Sequence, residues 1–419
     1  MNSKIISIQS ILIYALPFAL ITGPLISDFI CVLVLILFLF YVFKNKIFHL
    51  FKNRWIILYL SWCAYIIFSS LISENIALSL ESSLFYFRFG IFALAISLLI
   101  DKNSNFTRNF FFSIFASFVL ISVDGYFQYF TGQNILNLPY NDGRLSSFFG
   151  EEKIMGSFLS RLFPLLFALL MLNFNNSKYW MILGILILIS SDVLIYLSGE
   201  RTSFFNLILI SILIVSLIRK WRFIRLVSII ISMIMLVLIS FSNNAVKERM
   251  VDQTINQIGL NSSQPKIFSS VHEIHYKSAF KMFLDYPIFG IGPKVFRHLC
   301  SEDQYLLYED QFNENSCSTH PHNTYIQLLS ETGLIGIIPI LLLFLFITYQ
   351  LIRQFYSSIF IKKEFIDDYQ VCLYICVFVT LWPLSPSGSF FNNYLSIIYY
   401  LPVGFLINTY KFTNLEIRK

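Results

Sequence analysis

Charge is scarce in this 419-residue chain: 24 acidic and 30 basic residues make up 13% of it, about half the share of an ordinary soluble domain. That shortage, with 56% hydrophobic residues and a mean hydropathy of +0.69, excludes a soluble enzyme. Linkers are missing as well. No Gly/Ser-rich or Pro-rich stretch separates one part from another and no internal repeat is visible, so residues 1–419 read as a single polytopic membrane domain. The net charge of +6 is spread through short loops instead of forming a basic face, which excludes nucleic acid as a partner. The first apolar stretch lacks a small-residue cleavage site and another span follows at once, so it is expected to stay on the protein.

What is present in quantity is the apolar run. Twelve stretches are long enough to span a bilayer, at roughly 7–23, 26–43, 55–72, 84–100, 107–123, 154–172, 179–197, 202–218, 223–241, 325–351, 367–384 and 393–410. The expected fold class is all-α integral membrane. Lys and Arg set the orientation, because positively charged short loops stay on the cytoplasmic side. With both termini cytoplasmic, 18 of the 30 basic residues fall in short inner segments, at Lys4, 44–54, 102–108, Lys178, 219–225, 353–363 and 411–419. Two outer segments are too long to be plain connections, 124–153 and above all 242–324 between spans 9 and 10, and long loops tend to carry function. The second is expected to be ordered into short helices. Val271–Leu284 has helical spacing and ends before Pro287, and "FGIGPKVF" beyond it signals a turn.

The six cysteines divide by location. Cys31, Cys63, Cys372 and Cys376 lie in spans and read as small packing residues. Cys300 and Cys317 share the outer loop, where an oxidising compartment would join them, a closure that contributes about 3 kcal/mol.

Ionisable groups inside spans are costly and therefore mark function. Arg88 in "FYFRFGIFA" and Arg161 in "SFLSRLFPLL" lie one or two turns inside the outer ends of their spans, and Arg201 in "LSGERTSFF" sits at a tight outer turn. Snorkelling to lipid phosphate or a buried partner such as Asp192 or Glu200 would account for the first two. A Gly-containing turn gives Arg201 less reason to be there except to face an anion. Guanidinium forks bind two phosphate oxygens at once, so converging outer arginines point to a lipid-linked phosphate or diphosphate, or to an ordinary phospholipid headgroup. The other notable feature is "CSTHPHNTYIQLLSETGLIG". A histidine at the mouth of a membrane cavity is placed to take a proton from a sugar hydroxyl, although a loop histidine also commonly caps a helix. His272, His275, His320 and His322 form two pairs that zinc would accept in principle, but their spacing matches no ligand signature and no carboxylate or thiolate supports them.

Those residues carry a resemblance. His322-Asn323, nine residues, Gly333, two residues and Gly336 are similar to the signature of the O-antigen ligase and O-antigen polymerase superfamily. The turn "LSGERTSFFNL", the segment "YPIFGIGPKVF" and the stretch "RLSSFFGEEKIMGSFLSRLFPL" also resemble family features, so the likeness runs from about residue 85 onward. It implies a GT-C-type fold and an inverting glycosyltransferase without metal or cofactor, in a bacterial inner membrane with its active site on the periplasmic face. The donor is a glycan on undecaprenyl diphosphate. The acceptor is a sugar hydroxyl of the lipid A core in a ligase, or a second lipid-linked repeat unit in a polymerase. By position, His322 is the base, and Arg201, with Arg161 and Arg88, grips the donor diphosphate while the loop 242–324 covers the site. One departure stands out: where ligases commonly carry a second arginine this chain has His272 or His275, with Lys277 or Lys281 as other candidates. Ligase is the first reading and polymerase the second. A polysaccharide transporter or flippase is third, because repeats are absent and the unusual residues sit at one membrane face, whereas transporter sites lie near the midplane.

Overall fold

The computed structural model of the protein describes residues 2–141, 143–257, 268–309, 314–361 and 365–416. Apolar runs broken by short polar turns become helices α1 (Asn2–Thr22), α2 (Pro24–Asn45), α3 (Arg54–Leu71), α4 (Ile76–Ser83), α5 (Phe87–Lys102), α6 (Phe106–Thr131), α7 (Met155–Phe174), α8 (Lys178–Leu197), α9 (Arg201–Leu217) and α10 (Arg222–Ser242). The long loop contributes α11 (Asn244–Lys247), α12 (Gln253–Gln257), α13 (Ser270–Asp285) and α14 (Phe296–Leu299), followed by a two-residue antiparallel ladder, Tyr308–Glu309 on Glu314–Asn315. Three helices complete the chain, α15 (Thr324–Tyr356), α16 (Asp368–Thr380) and α17 (Asn393–Glu416). Asn53, Asn75, Ser177, Ser269, Asn323 and Asp367 each cap the helix that follows by accepting a backbone N–H.

Every expected span falls on a helix. Among the described residues nine helical segments are long and apolar enough to cross a membrane, and α9 and α16 are shorter apolar helices. Outward faces stay greasy: Leu25, Phe223, Leu238 and Phe241 are more than 60% exposed, as side chains in contact with lipid tails would be. This is a multi-pass membrane protein. Inside, α5 packs on α17, α7 on α16 and α8, and α8 on α10, joined by one apolar core rich in phenylalanine.

Three details differ from the sequence reading. Helix α6 runs eight residues past the expected end because its polar residues are buried and used: Asp124 accepts from Ile135 N (2.9 Å) and Ser147 Oγ (2.6 Å), and Gln128 Oε1 accepts from Ser146 N (3.1 Å) and Ser147 N (2.8 Å). Arg225, counted above with the inner-loop cations, is only 1% exposed and forms a two-pronged pair with Asp192 at 2.8 and 3.0 Å. Asp192 is therefore not the partner of Arg88 or Arg161. Helix α16 stops at Thr380 instead of 384, and residues 381–392 form an irregular strap.

The loop over 268–323 has a small core of its own, built from Ala279, Met282, Ile291, Val295, Phe296, Leu299, Cys300 and Tyr305. Cys300 and Cys317 are disulfide-bonded, and the other four cysteines are buried and free.

Candidate active site

The site begins at the start of α15. Asn323 caps that helix, accepting from Tyr325 N (2.9 Å) and Ile326 N (3.1 Å), while its amide donates to Pro383 O (2.8 Å). His322 immediately precedes the cap in a left-handed conformation, φ 56°, which is sparsely populated by residues with a Cβ. Its backbone is held by Ser387 N, which donates to His322 O at 2.9 Å.

The two glycines of the motif set the backbone against which the loop rests. Gly333 breaks α15 with φ 63°, and a Cβ there would collide with the Ile288 carbonyl. That closeness lets the turn 287–292 pair with α15 through backbone alone: Leu334 N to Pro287 O (2.9 Å), Ile291 N to Ser330 O (3.0 Å) and Gly292 N to Glu331 O (2.9 Å). Gly336 lies against Thr332 and Tyr65 and gives its carbonyl to Trp62 Nε1 at 2.8 Å.

Four histidines meet at this point. The His322 ring lies 4.2 Å from that of His320, 5.3 Å from His275 and 5.5 Å from His272. Three are tethered: His272 Nδ1 to Ser269 Oγ (3.0 Å), His275 Nδ1 to Ser316 O (2.9 Å), and His320 to Thr319 Oγ1 (2.9 Å) and Ser387 O (3.1 Å). The His322 ring has no hydrogen-bond partner among the described residues, so both nitrogens are available to a ligand. Burial and the neighbouring histidines hold His322 well below the usual imidazole range, at about 3. Burial likewise takes His320 and His272 to about 4. At neutral pH all three are uncharged. With ring nitrogens of His275 and His320 committed to backbone carbonyls the cluster is a poor metal cage, and among the described residues no three His, Cys, Asp or Glu are arranged to hold a metal ion.

Beside His272, and within its electrostatic reach, stands Arg201. It opens α9 after a turn whose Gly199 is left-handed (φ 67°) and wedged between the side chains of Arg144 and Arg249. Arg144 donates to Ser198 O (3.5 Å) and Lys153 O (3.1 Å), and Arg249 to Gly199 O (3.3 Å). Three guanidiniums thus crowd one turn, and Nη1 of Arg201 is buried without a partner. The turn's carboxylate, Glu200, caps α7 by accepting from Gly156 N (2.6 Å) and Ser157 N (3.0 Å). Burial pushes it up to about 7, so it neutralises the arginines poorly. The result is a preformed seat for an anion, strengthened by the N-terminal dipole of α9.

Arg161 stands one link behind: its Nε donates to Ser157 Oγ (3.1 Å) and its guanidinium lies over Tyr399. Arg88 pairs with Asp28 at 2.8 Å and lies near Lys294, whereas the guanidiniums that reach Arg201 are those of Arg144 and Arg249. Lys277 pairs with Glu273 on the exposed side of α13. Sequence reasoning missed Arg144, Arg249 and the strap. For Arg144 the signal was there, since it opens the stretch quoted for the resemblance. The Pro/Ser composition of "WPLSPSGS" would have marked the strap.

Residues 183–341 match the family model for O-antigen ligase. The matched region carries Arg201, Arg249, all four clustered histidines, the disulfide, Gly333 and Gly336, while Arg88, Arg144, Arg161 and the strap lie outside it. No curated protein matches the chain. The family match supports assignment to the O-antigen ligase family, whose activity is of the ligase or polymerase type.

Proposed function

We propose, from that assignment, that the protein is an inner-membrane ligase that transfers a glycan from undecaprenyl diphosphate to a sugar hydroxyl of the lipid A core, with inversion and without a metal, on the periplasmic face. One observation carries the reading: an untethered, neutral His322 packs on His272, and His272 lies within electrostatic reach of Arg201, which keeps a buried guanidinium nitrogen without a partner.

The chemistry follows from that adjacency. The acceptor hydroxyl oxygen attacks the anomeric carbon of the donor sugar, and the carbon–oxygen bond to diphosphate breaks with its electron pair leaving on the diphosphate. His322 takes the hydroxyl proton and later releases it to water. Arg201, with Arg144 and Arg249 around it, meets the charge that grows on the leaving group, so its contribution is larger in the transition state than in the ground state. His272 takes the place of a second donor-binding arginine as a hydrogen-bond donor, and His275 fixes the loop to the cluster. Arg161 supports the donor seat through Ser157 and Glu200. Residues 268–309 and 314–324 of the long loop cover the site, the disulfide between Cys300 and Cys317 joining the two stretches.

A lipopolysaccharide gel of gene-deleted cells, beside a blot for undecaprenyl-linked glycan, tests the reading. Long glycan persisting on the carrier while the lipid A core stays bare is the expected result. Single repeat units on the core would make the protein the polymerase, and unchanged pools would overturn an enzymatic role in this assembly.

A further inference from the structure

A cationic cavity lies along the strap that holds the histidine cluster. Its volume is about 250 Å³, and it is lined by Lys294, Arg297, Ser389, Asn392, Asn393 and Tyr394. We infer that this cavity is an anchor for an anionic group, phosphate or carboxylate, on a sugar of the acceptor, and that Arg297 is a residue determining acceptor specificity.

The inference rests on the proposed transfer reaction and on three observations. Arg297 is exposed and has neither a hydrogen bond nor an ion pair among the described residues. Lys294 is held in a left-handed conformation, φ 63°, its side chain only 17% exposed, with no closer counter-charge than the exposed Glu81 at 3.8 Å. The hydroxyl of Tyr394, a residue 8% exposed, is buried without a partner. A group with oxygen acceptors would satisfy all three side chains, and a buried polar group left unpaired is expensive.

The nearby carboxylates do not fill the cavity. Asp28 is taken by Arg88 and Asn393 (2.8 and 3.3 Å), and Glu331 is bound on both oxygens, by Phe296 N (3.4 Å) and Gln327 Nε2 (2.9 Å).

Position assigns the ligand. Of the three histidines that pack on His322, His272 lies within electrostatic reach of Arg201 and His320 within that of Arg297. The strap joins cavity to base, because Ser387 binds His320 and His322 while Ser389, two residues on, lines the cavity. A base between two cationic sites, one holding the leaving group, leaves the other for the attacking molecule. The cavity, about 250 Å³, has room for one charged sugar. Tyr394 also lies within electrostatic reach of Glu200, in the turn that carries Arg201, so the donor diphosphate is the competing occupant.

The test uses the full-length protein in phosphatidylcholine vesicles, with acceptor glycolipid either native or stripped of acidic groups by phosphatase treatment and methyl esterification. Arg297→Gln should raise the acceptor KM about tenfold while the donor KM stays put. Neutralised acceptor should cost the wild type a similar factor and the variant little. Arg297→Lys should recover part of the loss, which a folding defect would not allow. A rise in donor KM instead would overturn the inference in favour of the diphosphate, and dependence on added anionic phospholipid instead of acceptor charge would do so in favour of a headgroup. Should the wild type use only a second lipid-linked repeat unit as acceptor, the ligase reading falls, and the same KM split on that acceptor still decides the role of Arg297.

Discussion

In the proposed reaction His322 is a base whose surroundings keep it weak until substrate arrives. Its pKa is pushed to about 3 by burial and by neighbouring histidines, far from the value near the working pH that suits proton transfer. A bound diphosphate places negative charge beside the cluster, favours the protonated imidazole and raises that pKa. The acid limb of kcat, which reports the substrate complex, should therefore lie at higher pH than the acid limb of kcat/KM, which reports free enzyme and substrate. Coincident limbs would mean that His322 does not feel the donor. Arg201 carries the other half of the proposed chemistry, and Arg201→Ala should lower kcat by about 100-fold or more, the order seen when one charge-stabilising donor is removed. Both residues were legible in the sequence because an arginine in a membrane-edge turn and a His-Asn pair ahead of a span are chemically conspicuous. Arg249 was not, since a cation in a long loop is ordinary until the fold sets it against Gly199.

The broken helix α15 is the element that turns a motif into a site. Its break at Gly333 opens the backbone on which the turn 287–292 pairs, and that turn sets α13, with His272 and His275, over His322. Gly333→Ala places a Cβ against the Ile288 carbonyl in a left-handed conformation and should cost activity through loss of loop order. The measurement is protease cleavage of the loop in membranes: faster cutting between 268 and 323 in the variant is expected, and unchanged cutting would contradict this role for the glycine. Helix α13 and the turn after it were readable from periodicity and from Gly/Pro punctuation. The strap 381–392 was not, because its first residues continue an apolar run and only the contacts of Ser387 and Ser389 give it a purpose.

At the scale of the molecule, helices of lipid-facing character carry the arginine turn and the histidine cluster in the segments that join them. The spans were legible because bilayer thickness imposes their length, and interior pairings such as Arg225 with Asp192 were not, because partners 33 residues apart carry no local signature. Removing one member of that pair leaves the other charged and buried, so Asp192→Ala should destabilise the protein by about 3 kcal/mol or more, read as a lowered melting temperature in detergent. An unchanged melting temperature would show that the pair is dispensable. The proposed reaction transfers lipid-linked glycan to the lipid A core with His322 as base. Purified protein in vesicles, given undecaprenyl-diphosphate-linked glycan and lipid A core, measures it directly. The wild type should form glycosylated core and release undecaprenyl diphosphate, and His322→Ala, with its disulfide intact, should be slower by about 100-fold or more. A wild type that leaves the core unmodified, or a His322→Ala variant of normal rate, would contradict it.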